Sequence, residues 1–197
     1  QVFTTRNLNA DGSSGDILRT LPDYDPTTRP YYTVAENAGE ARWTPVYPFA
    51  LHRALYLTRT LPLRDAQGRL EGVMGVGLNL TQLGRLLEEA AGSMGGLTFV
   101  VERDGRLVAS SFNEILYGEK EGRFQRLPLA GSNHPLLRAA ARQMEIERGG
   151  FDSVVRPVQS VVTDSAGVRY RLLAQPFRAV DGLDWLEAVL VPEAPFT

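Results

Sequence analysis

Apolar residues recur along this chain with two different periods, and glycines mark where one period gives way to the other. In "ALYLTRTLPLRD", residues 54–65, the first half alternates as a half-buried strand does. "DAQGR" then predicts a turn with Gly68 in it, and "LEGVMGVGLNL" a second arm, so the pair reads as a hairpin. That second arm carries Gly72, Gly75 and Gly77, where small residues let another group approach the backbone. Leu80, Leu83, Leu86 and Leu87 then fall at helical spacing, with Thr81 as the expected cap and Gly92 as the stop. "SMGG" after it predicts a flexible break and a module boundary.

The same grammar repeats beyond residue 92. "LTFVVERDGRLVASS" predicts a hairpin turning at Asp104-Gly105, with "RDGR" a plain turn and "GEKEGR", residues 118–123, a solvated loop. "HPLLRAAARQMEIE" predicts an amphipathic helix, capped by Ser132 or Asn133, with Pro135 in its first turn and Gly149-Gly150 closing it. Three more strands follow, separated by "DSAG" and "VDGLD". The fold class expected is therefore α+β: two successive modules, residues 1–92 and 93–197, each an antiparallel sheet with helices to one side.

Composition narrows the function more than the fold. Hydrophobic residues are 43% of the 197 and charged residues 22%, ordinary values that argue for a packed core and against disorder. A net charge of -2 leaves no electrostatic footprint for nucleic acid, and no basic run reads as a membrane-surface patch. The absence of cysteine removes disulfides and thiolate chemistry, and it fits an exported bacterial domain. The two histidines, His52 and His134, each lack an i,i+4 partner, so neither a metal site nor a bound cofactor is expected. No run of about 18 apolar residues would span a membrane. The opening "QVFTTRN" reads as mid-strand, so a piece of a longer protein is expected. No nucleophile elbow or phosphate loop is present, and Asp23 and Asp25 point oppositely if extended, so catalysis is not expected.

One stretch carries chemistry beyond its structural needs. "DYDPTTRPYY", residues 23–32, holds two prolines, one arginine and three tyrosines. Arginine is the natural partner of a carboxylate, since its planar fork donates two parallel hydrogen bonds and stays charged. Tyrosine adds a donor and a flat apolar wall, while Pro26 and Pro30 lower the ordering cost of binding. Arg29 with Tyr24, Tyr31, Tyr32 and Tyr47 would thus recognise an anion. The competing reading makes Arg29 a structural residue bonding loop carbonyls, with the tyrosines packed around it.

"YDPTTRPYYTVA", then "WTPVY", then "LPLRDAQGRLEGVMGVGLNLTQL" together resemble the distal module of the double Cache (dCache) sensor domain, and the later hairpin and "GLDWLEAVLVPEAPF" resemble its membrane-proximal module. The resemblance covers about residues 15–196. It implies two PAS-like modules forming the extracytoplasmic (periplasmic) part of a chemoreceptor, sensor histidine kinase or cyclic-nucleotide enzyme. It further implies tethering by flanking transmembrane helices, one of them expected immediately after Thr197, and a long N-terminal helix carrying a homodimer contact, which this chain does not show. In amino-acid-binding members the carboxylate meets the arginine and an aromatic two residues later, here Arg29 and Tyr31. Tyrosines corresponding to Tyr24 and Tyr47 help hold the amine with an aspartate from a G-V-D-I-S-L strand. This chain reads "GVGLNL", so Gly77 stands in the aspartate's place. An ammonium there would be buried without its charged partner, which is costly. The expected ligand is a small carboxylate-bearing molecule, with Asn79 as a further polar contact. Trp43 and Trp185 are expected in the core. A ligand-free dimerisation or partner-binding module is the alternative, to be recognised by an exposed apolar patch where the sensor would bury Arg29.

Overall fold

Strand-to-strand pairing in this protein is built on tight aspartate-glycine turns. The computed structural model describes residues 2–49, 54–92, 95–112, 114–120, 123–178 and 182–193. The chain divides into two compact units, one of Gln1–Arg42 with Thr60–Gly75, the other of Trp43–Arg59 with Val76–Thr197.

The first unit opens on an antiparallel hairpin, β1 (Val2–Leu8) and β2 (Ser14–Pro22). Its turn is held by Asp11, whose carboxylate accepts from the Ser13 amide at 2.9 Å and hydroxyl at 2.6 Å. A single 3₁₀ turn, Pro26–Thr28, leads into helix α1 (Pro30–Asn37). Four strands follow: β3 (Arg42–Trp43), β4 (Tyr47–Pro48), β5 (Leu55–Arg64) and β6 (Leu70–Asn79). Residues 60–64 of β5 and 70–75 of β6 belong to the first unit. Their turn is the predicted "DAQGR": Gly68 has φ 82°, and one carboxylate oxygen of Asp65 accepts from the amides of Gln67 and Arg69. The Arg69 side chain closes on the other oxygen at 2.6 Å, and these bonds hold the Asp65 carboxyl below the usual carboxylate range.

In the second unit, β3, β5 and β4 lie side by side in that order and β6 pairs with β5. Helix α2 (Leu80–Ala91) comes next, then β7 (Leu97–Glu102), β8 (Leu107–Ser110), β9 (Tyr117–Lys120) and β10 (Arg123–Arg126). Helix α3 (Pro135–Arg148) precedes β11 (Val158–Thr163), β12 (Arg169–Arg178) and β13 (Asp184–Pro192). Five strands make one sheet in the order β11-β12-β13-β7-β8. Alternation sends Phe99 and Val101 of β7 and Leu186, Ala188 and Leu190 of β13 toward a core shared with Leu137, Ala140 and Met144 of α3. Val100 and Trp185 join Leu55, Leu57 and Leu80 in a second core. Both faces of these strands are therefore dry, which is why β7 reads as a continuous apolar run. Each fully buried Leu or Phe contributes about 1.5–3 kcal/mol. Trp43 packs against the second core with the Arg59 guanidinium 5.8 Å from its ring centre, so both tryptophans lie where the sequence places them.

Several local readings need correction. Thr81 does not cap α2; the Asn79 side chain does, accepting from the Thr81 amide at 3.0 Å. The chain leaves the extended β6 conformation at Asn79, and the cap is set by where that change occurs. Likewise His134, not Ser132 or Asn133, caps α3: its Nδ1 accepts from the Leu136 amide at 3.2 Å, while the Ser132 hydroxyl accepts from the His134 amide. The "GEKEGR" segment contributes to β9 and β10, which pair antiparallel, instead of looping freely. "RDGR" turns as predicted, with Gly105 at φ 79°, but its arginines also bind the surrounding structure. Arg103 donates to the Val154 carbonyl at 2.6 Å and to Asp184, and Arg106 reaches Asp104 at 2.6 Å. Glu102 pairs with Arg126, whose side chain is only 3% exposed. His52 lies outside the described residues.

The His134 cap makes stability depend on pH. Burial lowers the imidazole pKa below its ordinary 6.5, the Arg138 charge pushing the same way and Glu114 opposing, and only neutral Nδ1 can accept from the Leu136 amide. The folded state thus binds this proton less readily than the unfolded chain. Its contribution is present above pH 6.5 and is lost as pH falls through the depressed value. The melting temperature of the wild type is expected to drop between pH 7.5 and 5.5, and a non-titrating cap, His134→Asn, to flatten that interval. Identical slopes for the two proteins in scanning calorimetry would disprove the assignment.

Candidate functional site

Arg29 stands between two short helical pieces, and the backbone fixes it from both sides. Asp25 caps the 3₁₀ turn: its Oδ1 accepts from the Thr27 hydroxyl at 2.7 Å and amide at 2.9 Å, which holds the carboxyl below its usual range. Asp23, ahead of it, takes φ 54°, a left-handed conformation that aspartate tolerates better than most residues. The Arg29 amide closes on the Pro26 carbonyl at 3.1 Å. The Arg29 carbonyl then accepts from the amides of Tyr32 and Thr33, at 2.9 and 3.0 Å, and so starts α1. Its own backbone is extended, φ -87° and ψ 148°, and Pro30 fills the first helical position, where no amide hydrogen is needed. The half-buried Arg29 side chain does not cap the helix. It sits at the positive end of α1, so guanidinium and helix dipole favour the same thing, an anion.

The tyrosines of this unit are not equivalent. Tyr24 is half-buried, its ring packed on Phe3 with centres 4.9 Å apart and planes at 43°. Tyr31 and Tyr32 occupy consecutive positions in the first turn of α1, about 100° apart around the helix, so their rings diverge. The Tyr31 carbonyl is tied down by Thr60, whose hydroxyl donates to it at 2.7 Å. Thr60 is fully buried, and the Met74 carbonyl lies 3.3 Å from the same hydroxyl. At the other end of α1 the Arg64 guanidinium donates to the Glu36 carbonyl at 2.9 Å.

In the second unit Tyr47 and Gly77 meet around one hydroxyl. Tyr47 is opposite Tyr56 in the β4–β5 ladder, and its hydroxyl shares a hydrogen bond with that of Thr58 at 2.9 Å. Thr58 is held in turn by Thr44: the Thr44 hydroxyl accepts from the Thr58 amide, and the Thr44 amide donates to the Thr58 carbonyl. A Cβ built on Gly77 would lie 3.6 Å from the Thr58 hydroxyl and 3.2 Å from the Tyr56 ring. Tyr47, Tyr56, Thr58 and Gly77 therefore share one face of these strands, with Leu55 and Leu57 buried on the other. Gly77 itself is exposed and adds no side chain, whereas Tyr47 and Thr58 beside it are buried and spend their hydroxyls on each other. Asn79 caps α2 through its side-chain oxygen, a role the sequence did not announce. Thr44, Thr58 and Thr60 went unread in the sequence, where they pass for ordinary β-formers. Thr58 and Thr60 had one signal, the strand alternation in "LYLTRT", and Thr44 in "RWTPVY" lay outside it.

Among the described residues no cluster of metal-binding side chains occurs, and no helix is long and apolar enough to cross a membrane. No family model matches the chain. It is similar to the methyl-accepting chemotaxis protein PctB of Pseudomonas aeruginosa, at 33% identity over 86 residues, 44% of this chain and 14% of that receptor. The chain spans less than a fifth of the length of the curated relatives it matches. Among solved structures, the ligand-binding domain of P. aeruginosa PctB in complex with L-Arg aligns with a TM-score of 0.54 and 23% identity, over 98% of this chain and 70% of that one. That of Pseudomonas fluorescens CtaA with L-isoleucine gives 0.60 and 20%, over 98% and 68%. That of P. aeruginosa PctC with GABA gives 0.52 and 20%, over 87% and 64%. Ligand-binding domains of chemoreceptors are not enzymes. Antiparallel sheets with helices laid against them, aligned over nearly the whole chain with these domains, give this protein the double Cache fold of bacterial chemoreceptor ligand-binding domains.

Proposed function

We propose that this chain is the extracytoplasmic sensing domain of a bacterial transmembrane receptor, with a membrane-distal module over residues 1–92 and a membrane-proximal module over residues 93–197. Flanking transmembrane helices tether it in the parent protein. It binds a small carboxylate-bearing metabolite through Arg29, with Tyr24, Tyr31, Tyr32 and Tyr47 as donors and aromatic walls. The observation that carries this reading is the setting of Arg29: a permanent cation, half-buried, held at the positive end of α1 by a proline-stiffened loop. The ligands in the neighbouring structures, L-arginine, L-isoleucine and GABA, all bear a carboxylate. Gly77 supplies no counter-charge beside the Tyr47–Thr58 hydroxyls, so acids lacking an α-ammonium are preferred.

Calorimetric titration with organic acids, amino acids and amines tests this directly. Arg29→Ala is expected to weaken every carboxylate hit by roughly 10–100-fold, the range for a charge-assisted hydrogen-bonded pair. Hits that survive the change would remove Arg29 from the site. In the reverse direction, Gly77→Asp is expected to raise affinity for α-amino acids relative to the matching amine-free acids. The Tyr56 ring need yield only a few tenths of an ångström to admit the new Cβ. An unchanged preference would show that position 77 does not face the ligand.

One observation favours a second reading, a dimerisation or partner-binding module. The β1–β2 hairpin exposes Val2, Leu8, Ile17 and Leu18, each more than half accessible. If that surface joins two copies, light scattering should report a dimer that Leu18→Lys converts to monomer; a wild-type monomer at high concentration excludes it.

A further inference from the structure

We infer that Thr60 is a positioning residue for Arg29, setting the place of the cation without touching the ligand itself; the binding consequence rests on the carboxylate reading above. Helix α1 has only eight residues, and Ala35 is its one buried residue, so little apolar packing fixes its orientation. Two hydrogen bonds from β5 do that work. Thr60 holds the first turn through the Tyr31 carbonyl, and Arg64 holds the last turn through the Glu36 carbonyl. They are unequal. Arg64 is exposed, and water can replace it at the carbonyl. Thr60 is wholly buried, so the Tyr31 carbonyl loses a partner that water cannot easily supply. The Thr60 hydroxyl has one proton, and the distances, 2.7 Å to Tyr31 against 3.3 Å to Met74, assign it to the helix. Tyr31 is two residues from Arg29, whose carbonyl starts the same turn. Releasing the Tyr31 end lets the turn that carries the guanidinium shift, and bidentate recognition of a carboxylate does not survive displacements of about 1 Å.

The test compares Thr60→Val, which keeps the shape and removes the hydroxyl, with Thr60→Ser, which keeps the hydroxyl, on the whole 197-residue chain. The probes are the amide exchange rates of Tyr32 and Thr33, which bond to Arg29, and the dissociation constant of the tightest-binding acid among acetate, propionate, lactate and succinate. Thr60→Val is expected to accelerate exchange at both amides by about tenfold and weaken the acid by about tenfold, the equivalent of one buried neutral hydrogen bond. Thr60→Ser is expected to restore both. Unchanged affinity with only a lower melting temperature would reduce Thr60 to a core residue and overturn the proposal. So would weakened binding with unchanged exchange, which would mean that the hydroxyl meets the ligand. If Thr60→Val does not fold, Thr60→Ala is read in the same two ways. Should none of the four acids bind the wild type, or should Arg29→Ala bind as well as wild type, the carboxylate reading fails; the exchange rates then decide the positioning role alone.

Discussion

A hydroxyl taken out of water must find an acceptor inside the protein, and this requirement organises strand β5. Thr58 and Thr60 are buried on it, and neither spends its hydroxyl on the strand's own ladder. Thr60 gives its proton to the start of α1 in the first unit. Thr58 shares a hydrogen bond with Tyr47 in the second and is itself held by Thr44. Leucines at the same positions would bury at least as much apolar surface and would leave the Tyr31 carbonyl and the Tyr47 hydroxyl without these partners. The strand is thus a structural element on one face and a set of anchors on the other.

Much of this architecture was legible because turns are chemically explicit. "DAQGR" and "DSAGV" fold alike: the aspartate accepts from amides two and four residues on, and the glycine takes a positive φ. Helix α1 went unread because its prolines and tyrosines pass for a stiffened loop, whereas α2 followed from leucine spacing and α3 from its amphipathic pattern. Their caps were misread at Thr81 and at Ser132 or Asn133, because several capping residues lie in a row and sequence does not say at which one the backbone turns helical. Long-range ion pairs were invisible for a related reason. Glu102 finds Arg126, and Arg103 finds Asp184 across 81 positions, only once the sheet has formed. The candidate site was divided in the same way. Arg29 and its tyrosines announced themselves as a local cluster, whereas the threonines that hold them have meaning only through contacts distant in sequence.

The five-stranded sheet of the second unit is apolar for a structural reason. Its β7 and β13 are covered on both faces, by α3 on one and by the core around Leu57, Leu80 and Trp185 on the other. Such strands carry hydrophobic residues at nearly every position and leave little surface for recognition. The strands around Gly77 differ: one face is buried through Leu55 and Leu57, and the other holds buried Tyr47 and Thr58, half-buried Tyr56 and a glycine that is open to solvent.

Arg29 is also the one extended residue between a 3₁₀ turn that closes on its amide and an α-helix that starts from its carbonyl. Each piece is stiff by itself, and the torsions of this residue join them. In mechanical terms Arg29 is a joint of one residue: a change in its φ or ψ alone would re-aim the helix against the turn that precedes it.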